Sequence, residues 1–480
     1  MKRGRRKASF IDEKRIADVL EAGKRYSPGA VRDTISKSLE LKGLDLEELA
    51  ALFWVDDPEL EHEIYSAARK IKEQIYGKRI VFFAPLYVSN HCVNNCKYCA
   101  YKVGNDYPRR RLSMDEVREE VKAIENMGHK RIALEAGEDP VNCPIEYITE
   151  TMKTIYDTTS GNGTIRRINV NIAATTVEEY KMLKEAGIGT YVLFQETYHR
   201  ETYKRVHRGP KADYDWHTTA MDRAFAGGID DVGMGVLYGL YDWRFETIAL
   251  LMHAKYLDKT YGVGPHTISF PRLRSAYGMS LDDFPYIVND DDFKRIVASL
   301  RLSVPYTGMI LSTREEPFFR EEVVALGISQ ISAGSMTGVG EYSEHAHKYS
   351  EHEGTDGEHA LGHPDTPQFD VGDHRSLDEI IHDLLPEGYI PSFCTACYRS
   401  GRTGGNFMAL AKSAHIHEMC QPNALLTFQE YLCDYASPNT RLRAIPAIEK
   451  ALMEVVPESL KQECKNRLER IRAGERDLYF

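Results

Sequence analysis

Long apolar runs are missing from this 480-residue chain. No stretch of about 18 apolar residues occurs, so no membrane span is expected. Positive charge is the minority sign, with 61 Lys and Arg against 72 Asp and Glu and a net charge of −11. That balance argues against nucleic acid as a partner, because phosphate binding draws on clustered Lys and Arg. The one basic run (Lys2, Arg3, Arg5, Arg6, Lys7) has no apolar segment behind it and does not read as a secretory signal. Cysteine is too scarce and too unevenly spread for a secreted disulfide framework. Of nine cysteines, six form two groups of three, while Cys143, Cys433 and Cys464 stand alone and read as ordinary cysteines. Grouped cysteines in such a chain read as metal or cluster ligands, and reducing cytoplasm is the expected compartment.

What is present is enough apolar residue, 42%, to bury a sizeable core. Residues 1–77 read as helices. From Lys78 the pattern changes to short apolar runs alternating with amphipathic helices: Val81–Val88, Arg131–Gly137, Ile168–Ile172, Thr190–Phe194, Val232–Leu237, Thr267–Phe270, Met309–Ser312 and Gln330–Ala333. Strands alternating with helices imply βαβ units and a parallel sheet, and eight such units fit a (β/α)8 TIM barrel over residues 78–386. The intervening helices are expected at 115–127, 177–186, 216–226, 244–256, 292–302, 316–325 and 377–385. The polar stretch 341–375 carries His345, His347, His352, His359, His363 and His374, and is expected to be a functional lid or a solvated loop. Residues 387–480 read as a helical C-terminal domain. Helices are expected there at 446–456, with Pro446 in the first helical position, and at 458–473.

The first cysteine group is Cys92, Cys96 and Cys99, spaced C-x3-C-x2-C directly after the first expected strand. Barrel active sites are built from loops at the carboxyl ends of strands. Three thiolates on one such loop can hold three irons of a 4Fe–4S cube and leave the fourth open. With an aromatic, Tyr98, before the last cysteine, the motif resembles that of the radical S-adenosylmethionine (SAM) superfamily. The resemblance implies that SAM chelates the open iron and is cleaved to a 5′-deoxyadenosyl radical. It also assigns SAM-binding roles. The turn Glu135-Ala136-Gly137-Glu138 looks like the family's Gly-Gly-Glu turn, with Ala136 in the first glycine's place. Tyr98 is placed to meet the adenine, and Glu196 at the end of strand four suits a cationic ligand.

The second group, Cys394, Cys397 and Cys420, is spaced C-x2-C-x22-C and again supplies three thiolates. From spacing alone a zinc site stays open, with His415, His417 or Cys433 as fourth ligand. The spacing resembles that of the tyrosine lyases that mature FeFe-hydrogenase, relatives of the 2-iminoacetate synthase of thiazole biosynthesis, which lacks this group. Longer phrases agree: LEAGEDP at 134–140, FQETYH at 194–199, GLYDWRFE at 239–246, HTIS at 266–269, LSTRE at 311–315, SAGS at 332–335 and QPNALLTF at 421–428.

This resemblance implies that L-tyrosine is cleaved to p-cresol and dehydroglycine. The latter would become carbon monoxide and cyanide at a second 4Fe–4S cluster carrying an additional labile iron. Other hydrogenase maturation proteins and a low-potential electron donor are the implied partners. Arg314, at the end of strand seven, is the candidate for the substrate carboxylate. Ser335 and Tyr87 are candidates for positioning substrate, and His266 resembles the family's ligand to the extra iron. The competing readings are a 2-iminoacetate synthase and a non-catalytic iron–sulfur scaffold.

Overall fold

A computed structural model describes residues 6–351 and 367–480. Among the described residues, eight parallel strands close into a barrel: β1 (Arg79–Ser89), β2 (Arg131–Ala136), β3 (Arg167–Asn171), β4 (Tyr191–Glu196), β5 (Val232–Val236), β6 (Thr267–Ser269), β7 (Gly308–Leu311) and β8 (Gln330–Ser332). Closure is made by β8 on β1, where Val81, Phe82 and Phe83 pair with Gln330, Ile331 and Ser332. Every expected strand is found within a residue or two of its expected bounds. The reason is physical: parallel strands are covered on both faces and therefore read as short continuous apolar runs. Ten of the eleven residues of β1 are buried.

The outer helices begin where side-chain caps satisfy their free backbone N–H groups. Ser113 with Glu116, Thr176 with Glu179, and Ser376 with Glu379 each form a reciprocal capping box. The helix expected over 216–226 is instead two, Tyr214–Thr218 and Ala220–Ala226. The break falls at Thr219, which leaves helical backbone geometry while its hydroxyl donates to the Asp215 carbonyl. Four helices precede the barrel: α1 (Glu13–Gly23), α2 (Pro28–Ser38), α3 (Leu46–Leu52) and α4 (Pro58–Tyr76).

The C-terminal segment opens on a strand the sequence reading did not foresee. β9 (Ile390–Ser392) pairs in parallel with the start of β1, Arg79–Val81. It is followed by helices 404–412, 416–434, 438–453 and 458–472. Pro446 is not at a helix start. The helix begins at Pro438 behind the Ser437 cap, and Pro446 lies inside it. The carbonyl its missing N–H leaves free belongs to Leu442, an exposed residue. The stretch beginning at 341 is helical at first, Glu341–Glu351. His352, His359 and His363 lie outside the described residues. No described helix is long and apolar enough to cross a membrane.

Candidate active site

Two thiol groups stand at opposite mouths of the barrel. Cys92, Cys96 and Cys99 follow the carboxyl end of β1, while Cys394 and Cys397 follow β9, which pairs with the amino end of β1. Cys420 is carried on the helix Ile416–Asp434.

At the carboxyl mouth the cysteine loop is held by backbone bonds to its neighbours. Val93 donates to the Glu138 carbonyl at 2.8 Å, Asn95 to Arg208 at 3.0 Å and Lys97 to Val206 at 2.9 Å. Asn94 Nδ2 donates to Glu138 Oε2 at 2.6 Å, so the expected SAM-contacting carboxylate is oriented from the cysteine loop itself. Gly137 is required here. A Cβ on it would lie 2.3 Å from the His91 carbonyl oxygen. Ala136 keeps a negative φ, so an alanine is accommodated where the family pattern has glycine. Tyr98 Oη and His207 Nε2 are hydrogen-bonded at 2.8 Å.

A cavity opens inward from this loop. It is lined by the three cysteines and the Ala136–Glu138 turn, by Tyr87 and Tyr98, and by Glu196 and Arg314. Thus most of the expected SAM and substrate residues share one space. Ser335 does not line it; its Oγ is buried and without a partner. Glu196 ends β4 at φ 66°, a left-handed conformation that costs a non-glycine residue on the order of 1 kcal/mol. Its carboxylate is paired with Lys211 Nζ at 2.7 Å. Lys211 was not singled out from sequence. It lies 15 residues beyond Glu196 in a one-turn 3-10 helix, Pro210–Ala212, without any motif.

Arg314 is half-buried at the cavity and stacked 3.2 Å from the centroid of Phe369. The adjacent Glu315 is taken by Arg272 and Arg274. No ion pair to Arg314 is made among the described residues, and burial pushes its pKa down. Nearby, burial raises the Glu135 carboxyl to about 8 although Asn171 donates to it at 2.7 Å. Tyr87 Oη donates to Gln368 Oε1 at 3.1 Å. Gln368 and Phe369 belong to the tail of the histidine-bearing stretch. The tail is pinned over the mouth by backbone bonds from Gln368 to Thr337, Asp370 to Ser275 and Gly372 to Thr313. Part of that stretch therefore forms the roof of the cavity.

The end of β4 is fixed from behind by Glu246. Its buried carboxylate accepts from Thr197 Oγ1 and from the Tyr198 N–H. Burial raises its pKa to about 8. A carboxyl with a folded pKa above its unfolded value binds more protons folded than unfolded between about pH 4.5 and 8. Stability therefore falls as pH rises through that window, by up to about 1.4 kcal/mol per pH unit for one group. The Glu246→Gln variant is expected to flatten this slope between pH 5.5 and 7.5 in denaturant titrations. An unchanged slope would show that Glu246 does not carry it.

At the amino mouth, Arg79, Arg131 and Arg167 open β1, β2 and β3, each preceding an isoleucine. The sequence carried this signal as KRI, KRI and RRI at 78–80, 130–132 and 166–168, and it went unused. All three are buried, and burial pushes Arg131 down to about 10. The thiols of Cys394, Cys397 and Cys420 lie within electrostatic reach of Arg79 and Arg131, while Arg167 has Arg131, Asp231 and Cys397 near it. His266, just before β6, also lies here. Its Nε2 is 3.2 Å from Tyr398 Oη and its Nδ1 is 3.6 Å from Asp231. The guanidinium of Arg167 stacks 3.0 Å from the Tyr398 ring centroid.

The residues present fit iron–sulfur clusters. Burial, with repulsion from neighbouring thiols, raises the Cys99 thiol to about 11 and the Cys420 thiol to about 12, and bound iron reverses this by deprotonating its ligands. Among the described residues no three His, Cys, Asp or Glu side chains gather closely enough for one metal ion. Thiolates of a cube bind separate irons and stand farther apart. Buried arginines short of carboxylates, facing three thiols, suit an anionic cluster at the amino mouth.

A parallel barrel with a three-cysteine loop and a Glu-bearing turn over an inner cavity is the architecture of a radical SAM enzyme. Residues 86–252 match the model of the radical SAM superfamily, and residues 269–390 that of the biotin and thiamin synthesis associated domain. A solved structure of HydG, a maturase of the FeFe-hydrogenase, is 57% identical with a TM-score of 0.93, covering 98% of this chain and all of that one. HydG from Carboxydothermus hydrogenoformans is 40% identical with a TM-score of 0.79, covering 95% and 97%. The 2-iminoacetate synthase of Escherichia coli (strain K12) is 28% identical over 80% of this chain and 95% of its own length. The chain belongs to the radical SAM superfamily and, within it, to the family of the FeFe-hydrogenase maturase HydG.

Proposed function

We propose that this chain is a radical SAM lyase that cleaves L-tyrosine to p-cresol and dehydroglycine. Carbon monoxide and cyanide for the hydrogenase active site would then arise at its second thiol group. The supporting observation is a half-buried arginine, Arg314, that makes no ion pair among the described residues and lines the same cavity as the first cysteine loop, with a second set of three thiols at the other mouth. When bound, the clusters and SAM supply the adenosyl radical at the carboxyl mouth and the iron chemistry at the amino mouth.

The protein's own residues bind and orient. Cys92, Cys96 and Cys99 would hold the first cluster. Gly137 lets the turn approach the cysteine loop, Glu138 and Glu196 offer carboxylates to the cationic groups of SAM, and Tyr98 offers its ring to the adenine. Arg314 would take the tyrosine carboxylate as a bidentate pair, with Tyr87 contributing its ring and hydroxyl. Gln368 and Phe369 roof the cavity and exclude water from it. Cys394, Cys397 and Cys420 would hold the second cluster, with His266 as ligand to an iron delivered with the product.

An anaerobic, cluster-reconstituted sample given reductant, SAM and tyrosine tests this reading. p-Cresol and carbon monoxide should appear, each dependent on both SAM and tyrosine, with the gas trapped by deoxyhaemoglobin. p-Cresol without carbon monoxide would move the assignment to an iminoacetate synthase, and no 5′-deoxyadenosine at all to a scaffold. Arg314→Lys keeps the charge but loses the fork. It is expected to raise KM for tyrosine about 10–100-fold, the worth of roughly 1.5–3 kcal/mol in a charge-assisted pair. Unchanged KM would remove Arg314 from the carboxylate site.

A further inference from the structure

The outer face of the first cysteine loop is basic on a chain whose net charge is −11. Lys97, Lys102 and Arg208 line a concavity there together with Asn95, Gly104 and Asn105. Lys204 and Arg205 continue the charge along the neighbouring helix, Arg200–Val206. Val93 and Val103, exposed by 36% and 56%, lie on the same loop. Lys204 is offset by Glu201, and the acidic turn Asp282–Asp283 follows Leu281, which packs on the same apolar cluster as Val206. Lys97, Lys102 and Arg208 have no ion pair among the described residues. Lys102 is held by the Gly278 carbonyl, and Arg208 by the carbonyls of Lys204 and His207.

The patch is fixed relative to the thiols. Lys97 directly follows Cys96, the Asn95 and Lys97 N–H groups bond to Arg208 and Val206, and the Val103 N–H bonds to the Asn94 carbonyl. The cavity described above opens on the inner side of this loop, so the loop is one residue layer between the cysteine site and solvent.

We propose that this basic concavity is the docking surface for an acidic protein that carries single electrons. Radical SAM chemistry consumes one electron for each SAM cleaved. The carrier is oxidised by one electron, the cofactor site gains it, and no bond to the protein forms. A positive patch with two apolar contacts at its edge steers a negatively charged carrier to the face nearest the thiols, although long-range charge would otherwise repel it. The proposal rests on the radical SAM class and not on tyrosine as substrate.

The first measurement is the affinity of the cluster-loaded protein for an acidic flavodoxin, titrated at low and at 0.5 M salt. Binding should weaken at least 10-fold with salt, and Arg208→Glu and Lys97→Glu should each weaken it about 5–10-fold at low salt. Arg208 lies outside the cysteine loop, so its variant keeps the test usable if Lys97→Glu loses iron. In a second measurement, 5′-deoxyadenosine formation driven by reduced flavodoxin should fall in Arg208→Glu while that driven by dithionite stays level. Salt-independent binding, or equal loss with both reductants in an Arg208→Glu protein of normal iron content, would overturn the proposal. Failure of p-cresol formation with normal flavodoxin binding would instead sink only the tyrosine reading.

Discussion

Replacing Cys394 and Cys397 together by serine is expected to leave p-cresol formation within about threefold of the parent and to lower carbon monoxide at least 100-fold. The two thiols lie at the amino mouth, beside the start of β1, whereas the cysteine loop, Arg314 and the roof residues lie at the carboxyl mouth. The substitution leaves the strands between the two mouths unchanged. Serine is close in size, so packing changes little. What is lost is two of three thiolates, and with them the means to hold a cluster against Arg79, Arg131 and Arg167. Iron content should fall by about half, which checks that the variant lost a cluster and not its fold. Carbon monoxide at the parent rate would disconnect the second thiol group from the chemistry.

Gly137→Ala is expected to abolish SAM cleavage, with 5′-deoxyadenosine down at least 100-fold. The new methyl would stand 2.3 Å from the His91 carbonyl oxygen and 3.3 Å from the Cys92 Cβ. Backbone lies on both sides of the overlap, so nothing flexible can yield, and overpacking of this kind costs typically 1–3 kcal/mol or more. The displacement falls on the first cysteine and on the Glu138 carboxylate that Asn94 holds. Gly161→Ala is the control. That glycine has φ 57° and open space around it, so only backbone strain of about 1 kcal/mol is expected and activity should be kept. A Gly137→Ala protein with full SAM cleavage would mean that the loop tolerates a shift the packing does not predict.

Eight barrel strands were legible because each is an apolar run buried on both faces. β9 was not, because three residues containing Pro391 carry no periodicity and take their strand character from β1 alone. The cysteine sites were legible as spacing. Lys211, Asn94, Gln368 and Phe369 were not, because each reaches the cavity from a loop or a single 3-10 turn placed there by tertiary contacts. The three arginines at the amino mouth show a middle case. Their repeated position before an isoleucine is written in the chain, but its meaning depends on knowing that strand starts converge.

β1 touches both mouths, its first residues against β9 and its last against the cysteine loop. Its eleven residues span roughly 33 Å of extended chain at about 3.3 Å per residue. The strand thus acts as a ruler without a joint. It is paired along its length to β9, β8 and β2, so neither mouth can be swung toward the other. Under the proposed reading, whatever passes between the two thiol groups has to be a small molecule that diffuses. A deletion of one residue within β1 would shorten the ruler and turn its remaining side chains to the opposite face, breaking the spacing and the barrel interior together.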